Sequence, residues 1–124
     1  PPFLQDGALA ALSVELPEVA ALHEDYRRRA VLMSRLLAAA PRCRVVPPEG
    51  GMFVMLDIRA TGLSAEAFAR GLLDRERVAV LPCDGFGASA EGHLRISLGA
   101  SDDRIAEAGA RIVRYAQRLA QRPD

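Results

Sequence analysis

The segment Gly92-His93-Leu94-Arg95-Ile96-Ser97-Leu98 decides the fold, because apolar and polar side chains alternate along it. In an extended strand, successive side chains point to opposite faces of a sheet. The three apolar residues at 94, 96 and 98 therefore share one face, and His93, Arg95 and Ser97 share the other. The alternation predicts a strand with one face against a core and one polar face.

Three further strands are predicted before this segment. Residues 43–46 and 52–58 are joined by a loop of prolines and glycines that suits a hairpin turn. Residues 52–58 are apolar without alternation, which is typical of a strand covered on both faces, with one cover supplied by a larger protein. Asp57 near the end of this strand is predicted to face the loop solvent. Residues 78–81 are predicted to form a buried strand, which the glycine-containing loop 82–87 follows.

Helical patterns occupy the rest of the chain. A short apolar stretch from residue 3 to residue 12 predicts one or two helical turns. A long amphipathic helix begins at Pro17, where the missing N–H costs nothing, and Pro41 stops it. Ser64 and Ser101 are predicted to cap two further helices. On the long helix, the arginines are predicted to form a solvated face: Arg27, Arg28, Arg29 and Arg35.

The predicted order of elements is ααββαββα, without an internal repeat or a linker. This order indicates a small, mainly antiparallel sheet packed with helices, which is an α+β layer sandwich. The length of 124 residues fits a single domain, since about 100 to 150 residues is the commonest domain size. Because the chain starts without an initiator methionine, we expect residues 1–124 to be one domain of a larger protein.

The composition argues against several classes of function. The 16 basic and 16 acidic residues give zero formal net charge, which disfavours non-specific nucleic-acid binding and attachment to anionic lipid. No apolar run approaches the roughly 20 residues of a bilayer-spanning helix, and we expect a soluble, cytoplasmic protein. All 16 basic residues are arginine. Without a lysine, the chain cannot supply the amine of a Schiff base.

Cysteine and histidine give weak signals of chemistry. Cys43 and Cys83 lie far apart, without a CxxC pair or a nearby histidine, so we expect two reduced, partly buried thiols and no metal site. His23 within a helix and His93 in a strand are both interpreted as structural. The sequence signatures of serine hydrolases, zinc proteases, dinucleotide-binding folds and P-loops are absent from the chain.

Arg95 is the candidate binding residue that the pattern favours. It projects from the face opposite the apolar residues of its strand and lies close to the glycine-containing loop that carries Phe86. A planar guanidinium offers paired N–H donors to a carboxylate, which fixes the orientation of the ligand and adds affinity. The pattern alone leaves an alternative open, in which Arg95 points into solvent or forms a salt bridge.

Four motifs follow one another along the chain in a fixed order. They are PEGGMFVMLD at residues 48–57, SAEAFA at 64–69, VAVLP at 78–82 followed by Phe86-Gly87, and GHLRIS at 92–97. Together they resemble the C-terminal small domain of fold-type I pyridoxal-phosphate aminotransferases of class I and II. Residues 2–8, Tyr26 and the arginines after it are similar to the segment through which those enzymes enter the small domain. The resemblance covers nearly the whole chain.

The resemblance implies roles for particular residues. Arg95 matches the arginine that binds the α-carboxylate of the amino-acid substrate. Residues 50–53 match a segment beside the substrate pocket, in which Gly51 and Phe53 are the candidates, and Phe86 matches the neighbouring loop. Relatives commonly carry a glycine and a small residue where this chain has Cys83-Asp84-Gly85, which leaves the shape of that loop undetermined.

The resemblance also implies a reaction, a cofactor and partners. Members of the family are cytoplasmic homodimers that move an amino group between an amino acid and a 2-oxo acid. This chain looks most like bacterial enzymes that use pyruvate or 2-oxoglutarate as acceptor and a basic or aromatic amino acid as donor. The lysine and the other groups that hold pyridoxal phosphate belong to a larger upstream domain. We therefore expect this chain to bind no cofactor and to be inactive alone.

Three other functions stay open at this point. A carbon–sulfur lyase on the same fold would keep the carboxylate arginine and release a leaving group from Cβ. A transcription regulator would use an aminotransferase-like domain to sense an amino-acid derivative, next to a segment that binds DNA. The third is a free-standing domain that binds a small ligand or a protein without any cofactor.

Overall fold

The computed structural model describes residues 1–14 and 17–121. The helices are α1 (Pro2–Leu12), α2 (Pro17–Leu37), α3 (Ala65–Glu76) and α4 (Asp102–Ala120), and the strands are β1 (Arg44–Val46), β2 (Phe53–Asp57), β3 (Leu81–Pro82) and β4 (His93–Ser97). Short 3-10 turns occupy Arg59–Thr61, Asp84–Phe86 and Ala88–Ala90. The predicted order ααββαββα is confirmed.

The strands form one antiparallel sheet in the order β1-β2-β4-β3. The two central strands are β2 and β4, in which Met55 lies opposite Arg95. The residues that alternate with this pair are buried on the other face, namely Val54, Leu56, Leu94 and Ile96. Their core cluster also contains residues of α2, α3 and α4, so these helices cover one face of the sheet. The predicted α+β layer sandwich is confirmed.

Close packing between helices fixes this layer on the sheet. Phe68 of α3 and Tyr115 of α4 meet edge to face, with ring centroids 4.9 Å apart. At Gly109 of α4, an added Cβ would lie 2.8 Å from Leu36 Cδ1 of α2. Glycine therefore permits the close approach of α2 and α4 at this point.

The three predicted helix starts are confirmed. Pro17 opens α2, although the helix ends at Leu37 and not at Pro41. Ser64 caps α3, because its hydroxyl accepts a hydrogen bond from the Ala67 N–H at 3.2 Å. Ser101 occupies the N-cap position of α4 as predicted, but its side chain makes no capping hydrogen bond. Acidic residues in the first turn of α4 stabilise its positive end instead.

Residues 78–81 do not form the buried strand that the sequence predicts. Only Leu81 and Pro82 pair with β4, as the edge strand β3. Ala79 and Leu81 are exposed, and the two valines of the segment are half-buried. An edge strand has a neighbour on one side alone, so its apolar run is covered less completely than that of a central strand.

The arginines of α2 are not uniformly solvated, because α4 packs beside them. The side chain of Arg29 is 17% exposed, and its Nε lies 2.8 Å from Asp102 Oδ1 at the start of α4. Arg28 also contacts Asp102, whereas Arg27 pairs with Glu24 on the exposed surface. The predicted solvated face is therefore wrong for Arg29.

Two apolar surfaces of the described chain are open. All residues of α1 are exposed, including Phe3 and Leu12 at 70% and 87%, and the helix is longer than the one or two turns predicted. In β2, Phe53 and Met55 are half-buried on the face opposite the core. The described residues thus cover β2 completely on one face only. That a larger protein covers the other face stays a prediction.

Candidate functional site

Arg95 lies in the middle of the central strand β4. Its neighbours in the sheet are Met55 of β2 and Leu81 of β3. Its side chain projects from the face opposite the helices and is half-buried. Two aromatic rings cover it, since the guanidinium carbon lies 4.3 Å from the ring centroid of Phe53 and 5.4 Å from that of Phe86.

Arg95 differs from the other half-buried arginines of the described chain. Arg29 pairs with Asp102, and Arg111 pairs with Glu107. Within residues 1–14 and 17–121, Arg95 has no carboxylate at ion-pair distance. A partly desolvated cation without a counter-ion is unfavourable, and this favours the binding of an external anion.

The chemistry around Arg95 suits a carboxylate in particular. Aromatic rings stabilise a guanidinium through its face. The N–H donors lie in the plane of the group, so stacking leaves them for a ligand. Two parallel N–H···O contacts to a carboxylate are stronger than neutral hydrogen bonds and set its orientation.

The structure brings together three of the four residues that the sequence predicts for the site. Phe53 reaches Arg95 from β2, and Phe86 reaches it from the loop between β3 and β4. Gly51 lies in the loop between β1 and β2, with a left-handed φ of 79°. It lines a groove of about 760 Å³ between that loop and α2, where Tyr26 is also a lining residue.

The loop of residues 83–92 places Phe86 through hydrogen bonds. At its start, the Cys83 N–H donates to the His93 carbonyl, and the Phe86 N–H donates to the Cys83 carbonyl, both at 2.9 Å. Asp84 Oδ1 accepts a hydrogen bond from the Gly92 N–H at 2.9 Å. In the sequence, Asp84 stands out only as a departure from relatives. An aspartate early in a glycine-containing loop is nevertheless a signal for such a contact with the backbone.

Asp57 is buried, contrary to the prediction that it faces solvent. Asp57 is only 7% exposed. Its carboxylate accepts hydrogen bonds from Arg59 Nη2 at 2.7 Å and from Arg44 Nη2 at 3.1 Å. The hydrogen bonds from Arg59 hold the pKa of Asp57 well below its ordinary value. The prediction failed because the hairpin register places Arg44 directly opposite Asp57.

The two cysteines and His93 are wholly or partly buried, whereas His23 is exposed. Both cysteines are free, with Cys83 buried and Cys43 half-buried, as predicted. Burial, together with the nearby Asp57 charge, raises the pKa of Cys43 to about 11, and burial also raises the pKa of Cys83. A raised pKa lowers the thiolate fraction, so neither thiol is activated as a nucleophile. His93 is buried, with Nδ1 2.9 Å from the Glu91 carbonyl oxygen.

Two further properties concern the described part of the chain. It contains no group of three or more histidine, cysteine, aspartate or glutamate side chains that could hold a metal ion. None of its helices combines the length and the apolar character that crossing a bilayer requires.

The comparison with protein families identifies the class of this protein. The family model described as aminotransferase class I and II matches residues 1–112. The chain therefore belongs to the class I and II aminotransferase family, as the ordered motifs predicted.

Individual relatives agree with this assignment. Over 119 residues the chain is 50% identical to an arginine–pyruvate transaminase of Pseudomonas aeruginosa, a match that covers 96% of this chain and 30% of that protein. An aromatic aminotransferase from Pyrococcus horikoshii superposes with a TM-score of 0.72 and 33% identity, covering 77% of this chain and 25% of the other. The chain spans about 30% of the length of the curated relatives it matches.

A third relative bears on the cofactor. An α-aminoadipate aminotransferase from Thermus thermophilus, solved with N-(5'-phosphopyridoxyl)-L-leucine, has a TM-score of 0.67 and 34% identity, covering 78% of this chain and 26% of the other. The family implies pyridoxal phosphate attached to a lysine, and this chain contains 16 arginines and no lysine. Its residues therefore do not fit the covalent attachment of that cofactor.

Proposed function

We propose that the protein containing this chain is a pyridoxal-phosphate-dependent aminotransferase, in which residues 1–124 form the small domain that binds the substrate carboxylate. Family membership supports the class of reaction. The observation that carries the role of the domain is Arg95, which is half-buried beneath the rings of Phe53 and Phe86 without a carboxylate partner in the described chain. The cofactor is held by residues outside this chain.

The contribution of this chain is to orient the substrate. Two N–H donors of Arg95 hold both oxygens of the α-carboxylate, which restricts rotation about the bond to Cα. A reaction at Cα depends on that orientation. The bound substrate has already lost the rotational freedom that the reaction requires it to lose, and this lowers the barrier. Phe53 and Phe86 exclude water from part of the guanidinium surface, and charge interactions strengthen where water is excluded.

The substrates in this proposal are an amino acid and a 2-oxo acid. The arginine–pyruvate transaminase from Pseudomonas aeruginosa supports pyruvate as the acceptor and a basic amino acid as the donor. 2-Oxoglutarate as the acceptor rests on the resemblance to the family. The homodimer and the cytoplasmic location that the resemblance implies belong to the same proposal and rest on the resemblance alone.

Steady-state kinetics of the whole protein test this proposal. Amino donors are screened against pyruvate and 2-oxoglutarate, and then KM is compared for wild type, Arg95→Ala and Arg95→Lys. We expect Arg95→Ala to raise the KM for the donor about 100-fold, since a pair of charge-assisted hydrogen bonds is lost. Arg95→Lys keeps the charge without the planar fork and should restore only part of the affinity.

The matched control is Arg104→Ala. Arg104 is an exposed arginine of α4 without an ion pair to the described residues, so its removal should leave KM unchanged. An Arg95→Ala enzyme with the wild-type KM would contradict the proposed role. Release of a fragment from Cβ, in place of amino-group exchange, would identify the whole protein as a lyase.

A further inference from the structure

We propose that Asp84 is a positioning residue that holds Phe86 over Arg95 and thereby sets the affinity of the site for the substrate carboxylate. The inference rests on the proposed role of Arg95. It concerns the loop of residues 83–92, which leaves the sheet after β3 and returns to it at β4.

Asp84 ties the two ends of this loop together. Its Oδ1 accepts the hydrogen bond from the Gly92 N–H at 2.9 Å, across eight positions of sequence. Next to this contact, the Cys83 N–H donates to the His93 carbonyl at 2.9 Å. The carboxylate of Asp84 thus closes the loop immediately beyond the last backbone contact of the sheet.

Besides Asp84, two backbone hydrogen bonds of 2.9 Å hold the loop, from the Phe86 N–H to the Cys83 carbonyl and from the Ala90 N–H to the Gly87 carbonyl, whereas burial contributes little. Residues 84–89 are exposed, and Phe86 itself is 61% exposed. Within the described chain the ring of Phe86 lies over Arg95 and is not buried in the core. Asp84 also opens the 3-10 turn that ends at Phe86. Because both residues belong to one 3-10 turn, a displacement of the Asp84 backbone also displaces Phe86.

Loss of the Asp84 carboxylate would leave the Gly92 N–H without its acceptor. This residue is buried, and its φ of 68° lies in the left-handed region. A buried N–H without an acceptor is strongly disfavoured, so the loop would rearrange to find water or another acceptor. Because a carboxylate acceptor makes a stronger hydrogen bond than a neutral one, Asp84 suits this position.

Loss of the Asp84 contact should affect KM more than kcat. Phe86 stabilises the cation of Arg95, and a displaced ring weakens the hold of Arg95 on a carboxylate without removing any group that reacts. We expect Asp84→Ala in the whole protein to raise the KM for the amino donor about two- to fivefold, with a smaller change in kcat. Asp84→Asn keeps an acceptor oxygen and should recover most of the affinity.

A double-variant cycle separates positioning from a plain charge effect. Phe86→Leu should raise KM to a similar extent, and adding Asp84→Ala to it should bring little further change, because both substitutions remove the same ring contact. The matched control is Asp74→Ala, which removes an exposed carboxylate of α3 that has no ion pair with the described residues. This control should leave KM at the wild-type value.

Hydrogen exchange of the whole protein gives a readout that does not depend on activity. The Gly92 amide should exchange faster in Asp84→Ala than in wild type, and Asp84→Asn should restore its protection. Unchanged exchange in Asp84→Ala overturns the inference, as does a KM equal to that of wild type.

The kinetic outcomes distinguish this inference from the proposed function. If Arg95→Ala raises KM and Asp84→Ala does not, the positioning role is wrong and the proposed function stands. If Arg95→Ala leaves KM unchanged, both are wrong. Should Asp84→Ala fail to fold, a Phe86→Leu enzyme with the wild-type KM overturns the positioning role.

Discussion

Phe53 and Arg95 are diagonal neighbours on the two central strands, with the guanidinium carbon 4.3 Å from the ring centroid. Their registered partners are Ser97 and Met55, so the contact runs obliquely across one face of the sheet. The opposite face of the same strands is packed against helices. The ring of Phe53 is therefore placed by the rigid part of the fold, whereas that of Phe86 is placed by a loop.

Removing the ring of Phe53 should weaken substrate binding. Phe53→Leu keeps an apolar side chain and loses the aromatic face that stabilises the guanidinium. A cation–π contact at a partly exposed site is worth about 0.5 to 1 kcal/mol, so KM for the amino donor should rise about two- to fivefold. Steady-state kinetics of the whole protein measure this effect.

Phe53→Tyr is the matched control for this substitution. It keeps the aromatic face over Arg95 and should stay close to the wild-type KM. Equal losses in the leucine and tyrosine variants would show that shape, and not the aromatic face, matters at this position.

Glu76 should be important for stability. Its side chain is 3% exposed at the end of α3 and lies between Arg114 and Arg118 of α4, with shortest distances of 2.6 and 3.0 Å. The contact with Arg118 is an ion pair without hydrogen-bond geometry. Glu76→Gln removes the charge and should lower the free energy of unfolding by about 1 to 3 kcal/mol. Urea unfolding at pH 7 measures this loss.

Glu107→Gln tests whether burial is the cause. Glu107 also pairs with an arginine of α4, but its side chain is 60% exposed. An exposed pair contributes about 0 to 1 kcal/mol. If both variants lose the same stability, the explanation from burial is wrong.

Acid should destabilise the chain through two buried carboxylates. Hydrogen bonds from Arg59 lower the pKa of Asp57, and hydrogen bonds from Arg114 lower the pKa of Glu76. Because both pKa values are lower in the folded state, their stabilisation is complete above the unfolded values near 4 and is lost as pH falls through the folded values. We expect the urea midpoint to fall as pH is lowered from about 5 to 3.

Two variants identify the source of this pH dependence. Asp57→Asn and Glu76→Gln should each flatten the decline, because the group that takes up the proton on unfolding is gone. Asp74→Asn, at an exposed carboxylate of α3, should keep the wild-type slope. A wild-type slope in all three variants would assign the acid sensitivity to other groups.

Gly71 should not tolerate a methyl group. A Cβ at this position of α3 would overlap Tyr115 Oη and lie 3.0 Å from Cζ. Although alanine favours a helix by about 1 kcal/mol over glycine, overpacking costs about 1 to 3 kcal/mol. Gly71→Ala should therefore lower the thermal midpoint.

Gly7→Ala is the control, because an added Cβ there has no neighbour within 4 Å. It should leave the midpoint unchanged or raise it. Combining Gly71→Ala with Tyr115→Phe should cost less than the sum of the two single substitutions, since the overlapping oxygen is removed. Additive losses would exclude the hydroxyl as the cause.

Patterns within one element predicted the structure well. The alternation along β4 correctly separated the core residues Leu94 and Ile96 from Arg95, because side-chain direction in a strand depends only on position. The Ser64 cap was predicted for the same reason, since donor and acceptor lie three residues apart.

Contacts between distant elements were harder to predict. Arg29 meets Asp102 only because α2 and α4 pack together, and their separation of 73 residues leaves no local signal. The pairing of Arg44 with Asp57 was predictable from the sequence, since the predicted hairpin places the two residues opposite each other. The resemblance to a family implied only that Phe86 lies in the loop beside the pocket. Its ring contact with Arg95 and the anchoring contact of Asp84 required the structure.

The alternation in β4 also bears on how such a domain diverges. Residues at 94, 96 and 98 maintain the scaffold, while those at 93, 95 and 97 belong to the opposite face. Substitutions at 95 or 97 leave the apolar set in place, so the chemistry of that face is free to change while the hydrophobic packing persists. A one-residue insertion or deletion within the strand would instead exchange the two sets, burying the arginine and exposing the leucines. Selection at this strand therefore permits changes of residue and opposes changes of length.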